Sequence, residues 1–327
     1  MRLVDNKALV LKTKRPHLLT ENVEKCKILG EDKGVYELAV KWGLEESQFL
    51  AALQVKDVPS PINRDYEWTG KHKPFDHQRD TSAFLSLRKK AFCFNEQGTG
   101  KTASVIWAAD YLMKQRLINR VLVVCPLSIM KSAWQADLFT FAMHRSCSVC
   151  HGTADQRRKI LDAGSQFVII NYDGVNVIQD EIMDSGFDMI VVDEANAYKN
   201  AQTTRWKTMN KISQQVDWLW MLTGTPAAQS PFGQFRDKVM YKATQYVWRP
   251  KADADTIVHK ALQPAIRFEK DQCLDLPDVT YVEREAPLTP QQAKYYKIVK
   301  DLMAMEADGA QVTAVNAAVQ LNKLLQI

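Results

Sequence analysis

The sequence predicts an α/β protein built on a doubly wound, mostly parallel sheet, and three observations carry that reading. Between residues 91 and 224 the chain repeats one theme: a short apolar or β-branched run, a turn, then an amphipathic helical stretch. The runs are near-continuous rather than alternating, the pattern of strands covered on both faces. Composition agrees: 327 residues, 46% hydrophobic and 25% charged, describe an ordinary folded chain of about two domains at roughly 150 residues each. That balance excludes disorder, and six scattered cysteines exclude a disulfide scaffold.

Taken in order, residues 7–12 and 35–40 read as strands, 45–53 as a short helix and Pro59-Ser60-Pro61 as a linker. Residues 1–70 are therefore expected to form a small α+β accessory module. Residues 91–95, 121–125, 147–150, 167–171, 189–193 and 218–222 supply the strands of the main sheet, and 103–114 its first helix. Residues 71–270 are assigned to this α/β domain. After Pro226 the pattern weakens: 276–279 reads as extended, Thr289-Pro290 opens a helix with proline at its first position, and another helix runs from about Thr313. Residues 271–327 are expected to begin a further domain. Ending on Leu324-Leu325-Gln326-Ile327, without polar tail or cap, the sequence is expected to stop inside it.

A net charge of +5 is only a weak pointer to polyanions and fits an ordinary solvated surface with no partner better. Charge interrupts residues 1–7 and no 18 apolar residues run together, so neither a signal peptide nor a membrane span is expected. The expected compartment is the cytoplasm, or the nucleus in a eukaryote. The cysteines fit free buried thiols in a reducing environment.

Glycine is scarce, 13 of 327 residues, so two glycines either side of Thr99 and next to a lysine stand out. The segment Asn95-Glu96-Gln97-Gly98-Thr99-Gly100-Lys101-Thr102 follows a strand and opens a helix. A phosphate chain needs converging backbone N–H groups, side-chain-free approach, a helix N-terminus, a reaching ammonium and a hydroxyl for Mg²⁺, and Gln97 to Ala103 offer each. The pattern asks for glycine at position 95, where this chain has Asn95. Next, Asp193-Glu194 closes a buried strand, where two acids need a cation or water. Asp193 and Thr102 are the expected Mg²⁺ ligands, and Glu194 the group that orients and deprotonates water. Leu222-Thr223-Gly224-Thr225-Pro226 also ends a strand; as an isolated string it would be only a turn, but beside the acids its hydroxyls are placed to sense a terminal phosphate.

These strings together resemble the first, RecA-like motor lobe of superfamily-two helicases, specifically Swi/Snf-type DNA translocases, over about residues 73–327. Phe75-Asp76-His77-Gln78 is similar to the motif whose glutamine reads adenine, Gly98 to Thr102 to motif I, and Val124-Cys125-Pro126-Leu127-Ser128 with Trp134 to motif Ia. Ile170-Asn171-Tyr172 resembles motif Ib and Leu222 to Pro226 motif III, while Asp193 to Asn200 resembles the extended motif II with its Lys199-Asn200 ending. The resemblance implies an ATP- and Mg²⁺-dependent motor in which Gln78 meets adenine and Lys101 the phosphates. Pro126, Ser128, Lys131, Asn171 and Tyr172 would hold the DNA backbone, and Asn196, Thr223 and Thr225 would couple hydrolysis to movement. It favours duplex DNA, sequence-tolerant contacts, a monomer, and a phage-like member of the family. An RNA-dependent helicase and a non-catalytic binding lobe are the competing readings, and Lys199-Asn200 argues against the first.

Three departures stand out. Asn196 replaces the family's histidine and cannot titrate. The chain between Pro226 and Phe235 is shorter than the family's helix-containing segment. Motifs V and VI are absent, with the arginines whose loss costs roughly 10³ to 10⁵ in rate, so this stretch alone is expected to turn over weakly or not at all. Cys147-Ser148-Val149-Cys150-His151 matches haem attachment, but it is expected on a core strand, and no second ligand pair stands at zinc spacing. Trp218 and Trp220 are expected in the core, and Tyr66 and Trp68 to pack against the α/β domain rather than to stack on adenine.

Overall fold

The computed structural model describes residues 1–224, 239–242, 247–273, 287–294 and 297. Contacts divide the chain into two compact units, Met1–Asp275 and Leu276–Ile327.

The first unit opens with a four-stranded antiparallel sheet of β1 (Arg2–Val4), β2 (Ala8–Thr13), β3 (Cys26–Asp32) and β4 (Val35–Lys41), in the order β1-β2-β4-β3. Sequence reading found β2 and β4, whose alternate residues Leu9, Leu11, Leu38 and Val40 are buried. It missed β1, which is three residues long, and β3, which has six of its seven residues exposed and carries Lys27, Glu31 and Asp32, as suits an edge strand. The helix Leu44–Ala52 closes this small core through Leu50. Within the module Trp42 Nε1 donates to the Pro59 carbonyl at 2.9 Å, and two polar contacts tie it to the α/β domain: Gln48 Nε2 donates to the Ser86 carbonyl at 2.8 Å, and the Ser60 and Ser86 hydroxyls meet at 2.7 Å.

The main sheet has seven strands, all parallel: β5 (Lys90–Cys93), β6 (Val121–Cys125), β7 (Cys147–Cys150), β8 (Phe167–Asn171), β9 (Met189–Val192), β10 (Trp218–Leu222) and β13 (Ala265–Ile266). Their order is β13-β5-β10-β9-β6-β8-β7. A two-stranded ribbon, β11 (Met240–Lys242) with β12 (Trp248–Pro250), lies in sequence between β10 and β13. The six strands expected in the main sheet are present within a residue or two; β13, only two residues long, was not expected.

Alternate residues of the central strands serve opposite faces. Val121, Val123 and Cys125 join Trp107, Trp134 and Trp220 on one side, while Leu122 and Val124 join Val168, Ile190 and Val192 on the other. At about 1.5–3 kcal/mol for each fully buried Val, Leu or Ile side chain, both faces are driven inward. The result is a rigid platform whose carboxyl edge carries the loops.

Two expectations about side chains resolve here. Trp218 and Trp220 are buried core, and Tyr66 packs edge-on against Trp68 and Tyr111 while its hydroxyl donates to Asp110 at 2.7 Å. The C-x-x-C-H segment is corrected: β7 is the outer strand of the sheet beside β8, not a core strand. Among the described residues no cluster of metal-ligating side chains forms there. All six cysteines are free thiols; burial pushes Cys93 and Cys147 up to about 11 and Cys125 to about 12.

In the second unit, residues 290–294 are helical. Thr289 caps them, its hydroxyl accepting from Gln292 N at 3.3 Å while Gln292 Oε1 accepts from Thr289 N at 3.0 Å. The extended stretch expected at 276–279 and the helix expected from Thr313 lie outside the described residues.

Candidate active site

The loop Phe94–Gly100 joins β5 to the helix Lys101–Lys114. Gly98 and Gly100 have φ of +85° and +77°, left-handed backbone that only glycine adopts without strain. At Gly100 a Cβ would also collide with the Gln78 amide. Lys101 reaches back into the loop, its Nζ donating to the Asn95 carbonyl at 2.8 Å and the Glu96 carbonyl at 3.1 Å. The loop is thus filled by its own ammonium, which is held by carbonyl dipoles that a phosphate oxygen would outcompete.

Asn95, where glycine was expected, is a strut. Its side chain is 1% exposed, donates to Thr81 Oγ1 at 2.8 Å and accepts from Phe268 N at 3.0 Å. Glu96 extends the same tie, its Oε2 accepting from Lys270 N at 2.9 Å. Both residues fasten the loop to the segment after β13. Thr99 is buried, and its carbonyl accepts from His77 Nε2 at 2.8 Å and Gln78 Nε2 at 3.2 Å. Gln78 Oε1 accepts from Phe75 N at 3.0 Å, so the amide expected to meet adenine is engaged at both ends and braces the loop. Thr102 and Ala103 begin the helix beside Lys101.

Asp193 follows β9 and is 7% exposed. Its Oδ2 accepts from Trp134 Nε1 at 2.8 Å and its Oδ1 from Glu194 N at 2.9 Å. Burial pushes its pKa up; the indole and backbone N–H groups oppose that, Glu194 adds to it, and Lys101 lies near enough to pull it down. Lys101 and Asp193, 92 positions apart, therefore share one site. Glu194 has φ +48°, a left-handed conformation costing a non-glycine residue about 1–3 kcal/mol. Tyr172 holds this turn, its hydroxyl donating to the Asp193 carbonyl at 2.7 Å and the Glu194 carbonyl at 3.3 Å.

Two contacts close the site. Gln97 Nε2 donates to Glu194 Oε1 at 3.3 Å, and Asn196 Nδ2 donates to Thr223 Oγ1 at 3.0 Å. Gly224 lies against the loop, where an added Cβ would sit 3.2 Å from Gln97 N. The glycine loop, the acid pair and Thr223 thus meet at one edge of the sheet. Thr225 lies outside the described residues.

The expected DNA-contact residues divide. Beyond β6, Pro126 leads into the turn Leu127–Ile129, which carries Ser128, and Lys131 lies on the π-helical segment Met130–Gln135, with Ser128 and Lys131 exposed. Asn171 turns inward and accepts from Arg157 Nη2 at 3.2 Å, while Tyr172 gives its hydroxyl to the acid turn. Sequence reading missed Arg157, Phe268 and Lys270 as supports. Arg157 carries no motif, and the other two act on residues more than 170 positions away.

With this geometry in view, comparison with known proteins is specific. Residues 77–232 match the SNF2-related domain. The mouse chromodomain-helicase-DNA-binding protein 1-like is 28% identical over 254 residues, covering 70% of this chain and 28% of that protein. A Caenorhabditis elegans homologue of SWI/SNF-related matrix-associated actin-dependent regulator of chromatin subfamily A-like protein 1 is 24% identical over 185 residues, covering 56% of this chain and 26% of its own length. The chain therefore spans about a quarter of these relatives. Among solved structures, the Sulfolobus solfataricus SWI2/SNF2 ATPase core in complex with dsDNA superposes with a TM-score of 0.54 at 23% identity, over 79% of this chain and 59% of that one. That likeness identifies the α/β sheet as RecA-like. Residues 77–232 thus resemble a SNF2-related domain, and the relatives that the chain is similar to are SWI/SNF-type helicases and remodellers.

Proposed function

We propose that the chain contains the first motor lobe of an ATP-dependent DNA translocase or helicase, one that couples ATP hydrolysis to movement on duplex DNA or its remodelling. The observation that carries this reading is convergence: Gln97 of the glycine loop holds Glu194, Asn196 holds Thr223, and Lys101 acts on Asp193 across the same edge.

In this reading Lys101 exchanges the Asn95 and Glu96 carbonyls for the β- and γ-phosphates of ATP, and Gln78 exchanges its loop contact for adenine. The residues at hand suit Mg²⁺, because Asp193 is a buried carboxylate whose bonded donors are an indole and a backbone N–H rather than a cation, and Thr102 adds a hydroxyl oxygen. Bound there, the ion would neutralise charge on the phosphates. Glu194 orients a water in line with the γ-phosphorus and takes its proton as the water oxygen bonds to phosphorus and the bond to ADP breaks. Gln97 holds that carboxylate in place, and the Asn196–Thr223 pair passes loss of the terminal phosphate to the loop after β10. Pro126, Ser128 and Lys131 contact the backbone of one DNA strand, with Asn171 and Tyr172 behind them. Such contacts position without reading bases, so binding is sequence-tolerant and falls steeply with salt. The Sulfolobus core bound to dsDNA supports duplex DNA as the partner, engaged by a single copy of the protein.

The test is ATP turnover of the full-length protein with duplex DNA, single-stranded DNA and RNA side by side. Stimulation of severalfold by duplex DNA, lost in Lys101→Ala and Glu194→Gln, is expected. Stimulation by RNA alone would make it an RNA-dependent helicase, and normal DNA binding without turnover or nucleotide effect would make it a binding lobe.

A further inference from the structure

The amino edge of the main sheet, opposite the candidate active site, carries a cleft of 1390 Å³. It lies between the end of the helix Leu44–Ala52, the start of β5 and the end of the helix Ala254–Ala261. At four residues β5 is roughly 13 Å long, so a ligand here is separate from one at the glycine loop.

The cleft combines two features. Its wall is apolar, with Phe49, Val55, Leu87 and Pro264 among the lining residues. Its charge is one-sided: Lys56, Arg88, Lys89, Lys90 and Lys260 line it against the single carboxylate of Asp57. Lys89 is neutralised by Asp217 at 2.5 Å, and Lys260 sits in the last turn of its helix, where a cation offsets the carbonyl dipoles. Lys56, Arg88 and Lys90 then face Asp57 alone in the lining, an excess of two positive charges, with Asp217 also close enough to Lys90 to feel its charge. None of the three makes an ion pair among the described residues. Arg88 is half-buried, stacked 3.9 Å over the Phe84 ring, and donates to the Phe84 carbonyl at 2.9 Å.

We propose that this cleft binds an acidic peptide segment of a partner protein, one that carries apolar anchor side chains beside its carboxylates. The volume exceeds the ~300–1000 Å³ usual for small-molecule pockets, and apolar grooves with charged rims take amphipathic segments. A nucleic-acid strand fits less well. It would bury sugar-phosphate against aliphatic side chains, and the lining offers bases no Tyr or Trp to stack on, only the rings of Phe49 and His259.

The experiment is fluorescence anisotropy on the full chain with a labelled acidic peptide containing phenylalanine and leucine. Its controls are the same peptide with each acid replaced by its amide, the same peptide with the two apolar residues replaced by serine, and single-stranded and duplex oligonucleotides. Lys56 and Lys90 are exposed, so Lys56→Glu/Lys90→Glu leaves the fold intact, as an unchanged thermal midpoint checks. The expected result is binding of the acidic peptide, weakened roughly tenfold or more by this double variant, by the amide peptide and by the serine peptide, and unchanged in Lys101→Ala. Absence of binding, equal affinity for the amide or serine peptide, or displacement by an oligonucleotide whose own binding the double variant abolishes would overturn the proposal.

Discussion

Two aspartates are buried among the described residues of the α/β domain, and they are held in opposite ways. Asp110, on the helix Lys101–Lys114, is 0% exposed and surrounded by donors: Tyr66 OH at 2.7 Å, Arg145 Nε at 2.6 Å, His144 Nε2 at 2.9 Å and Lys114 Nζ at 3.7 Å. Burial alone would raise its pKa, but the hydrogen bonds from Tyr66, Arg145 and His144 outweigh burial and hold it below its ordinary value. Asp193 is buried almost as deeply, receives only the Trp134 indole and one backbone N–H, and is pushed up. The same residue type in one domain thus serves two ends. A carboxylate compensated on every side is a staple, whereas one left short of positive charge at the sheet's carboxyl edge is where the proposed Mg²⁺ would bind.

The comparison is broken or sharpened by substitution. Asp110→Asn should cost most, about 3–5 kcal/mol, because it leaves a partly buried guanidinium and a buried hydroxyl facing a neutral amide; urea unfolding measures it. The pH dependence has a definite sign. A carboxylate depressed below 3.8 contributes stability that is present in full above that value and is lost as the pH falls through the lower folded-state value. Wild-type protein should therefore lose stability across that acid window, and Asp110→Asn should lose less. Trp134→Phe comes next, at about 2 kcal/mol, since it removes one hydrogen bond to a charged acceptor; its thermal midpoint should fall without change of fold by circular dichroism. Asp193→Asn should have the smallest effect on stability, under about 1 kcal/mol of loss or a slight gain, because it removes a charge whose burial disfavours the folded state. A loss as large as that of Asp110→Asn would erase the distinction between the two.

Much of this was legible in the sequence, for physical reasons. β6, β8 and β9 are buried on both faces, so their apolar runs announce themselves, and the two left-handed glycines mark a loop that other residues rarely make. What stayed hidden depends on distant partners. β13 is two residues of ordinary composition whose meaning lies in pairing with Phe92 and Cys93. Position within the sheet is also invisible, which is why Cys147–Cys150 read as core although it forms the edge. At the site, Asn95 looked like a flaw in a pattern until Thr81 and Phe268 were found at its two ends. No residue type announces the left-handed turn at Glu194; the Tyr172 hydroxyl that holds it sits in a string expected to face DNA.

Isothermal titration of ADP into the full chain, with and without Mg²⁺, in wild type and Asp193→Asn, addresses the central claim most directly. The account predicts that Mg²⁺ strengthens ADP binding by roughly tenfold or more in wild type, and that Asp193→Asn keeps the metal-free affinity but loses the increment. An equal increment in both proteins, or no heat from nucleotide in either, would contradict it.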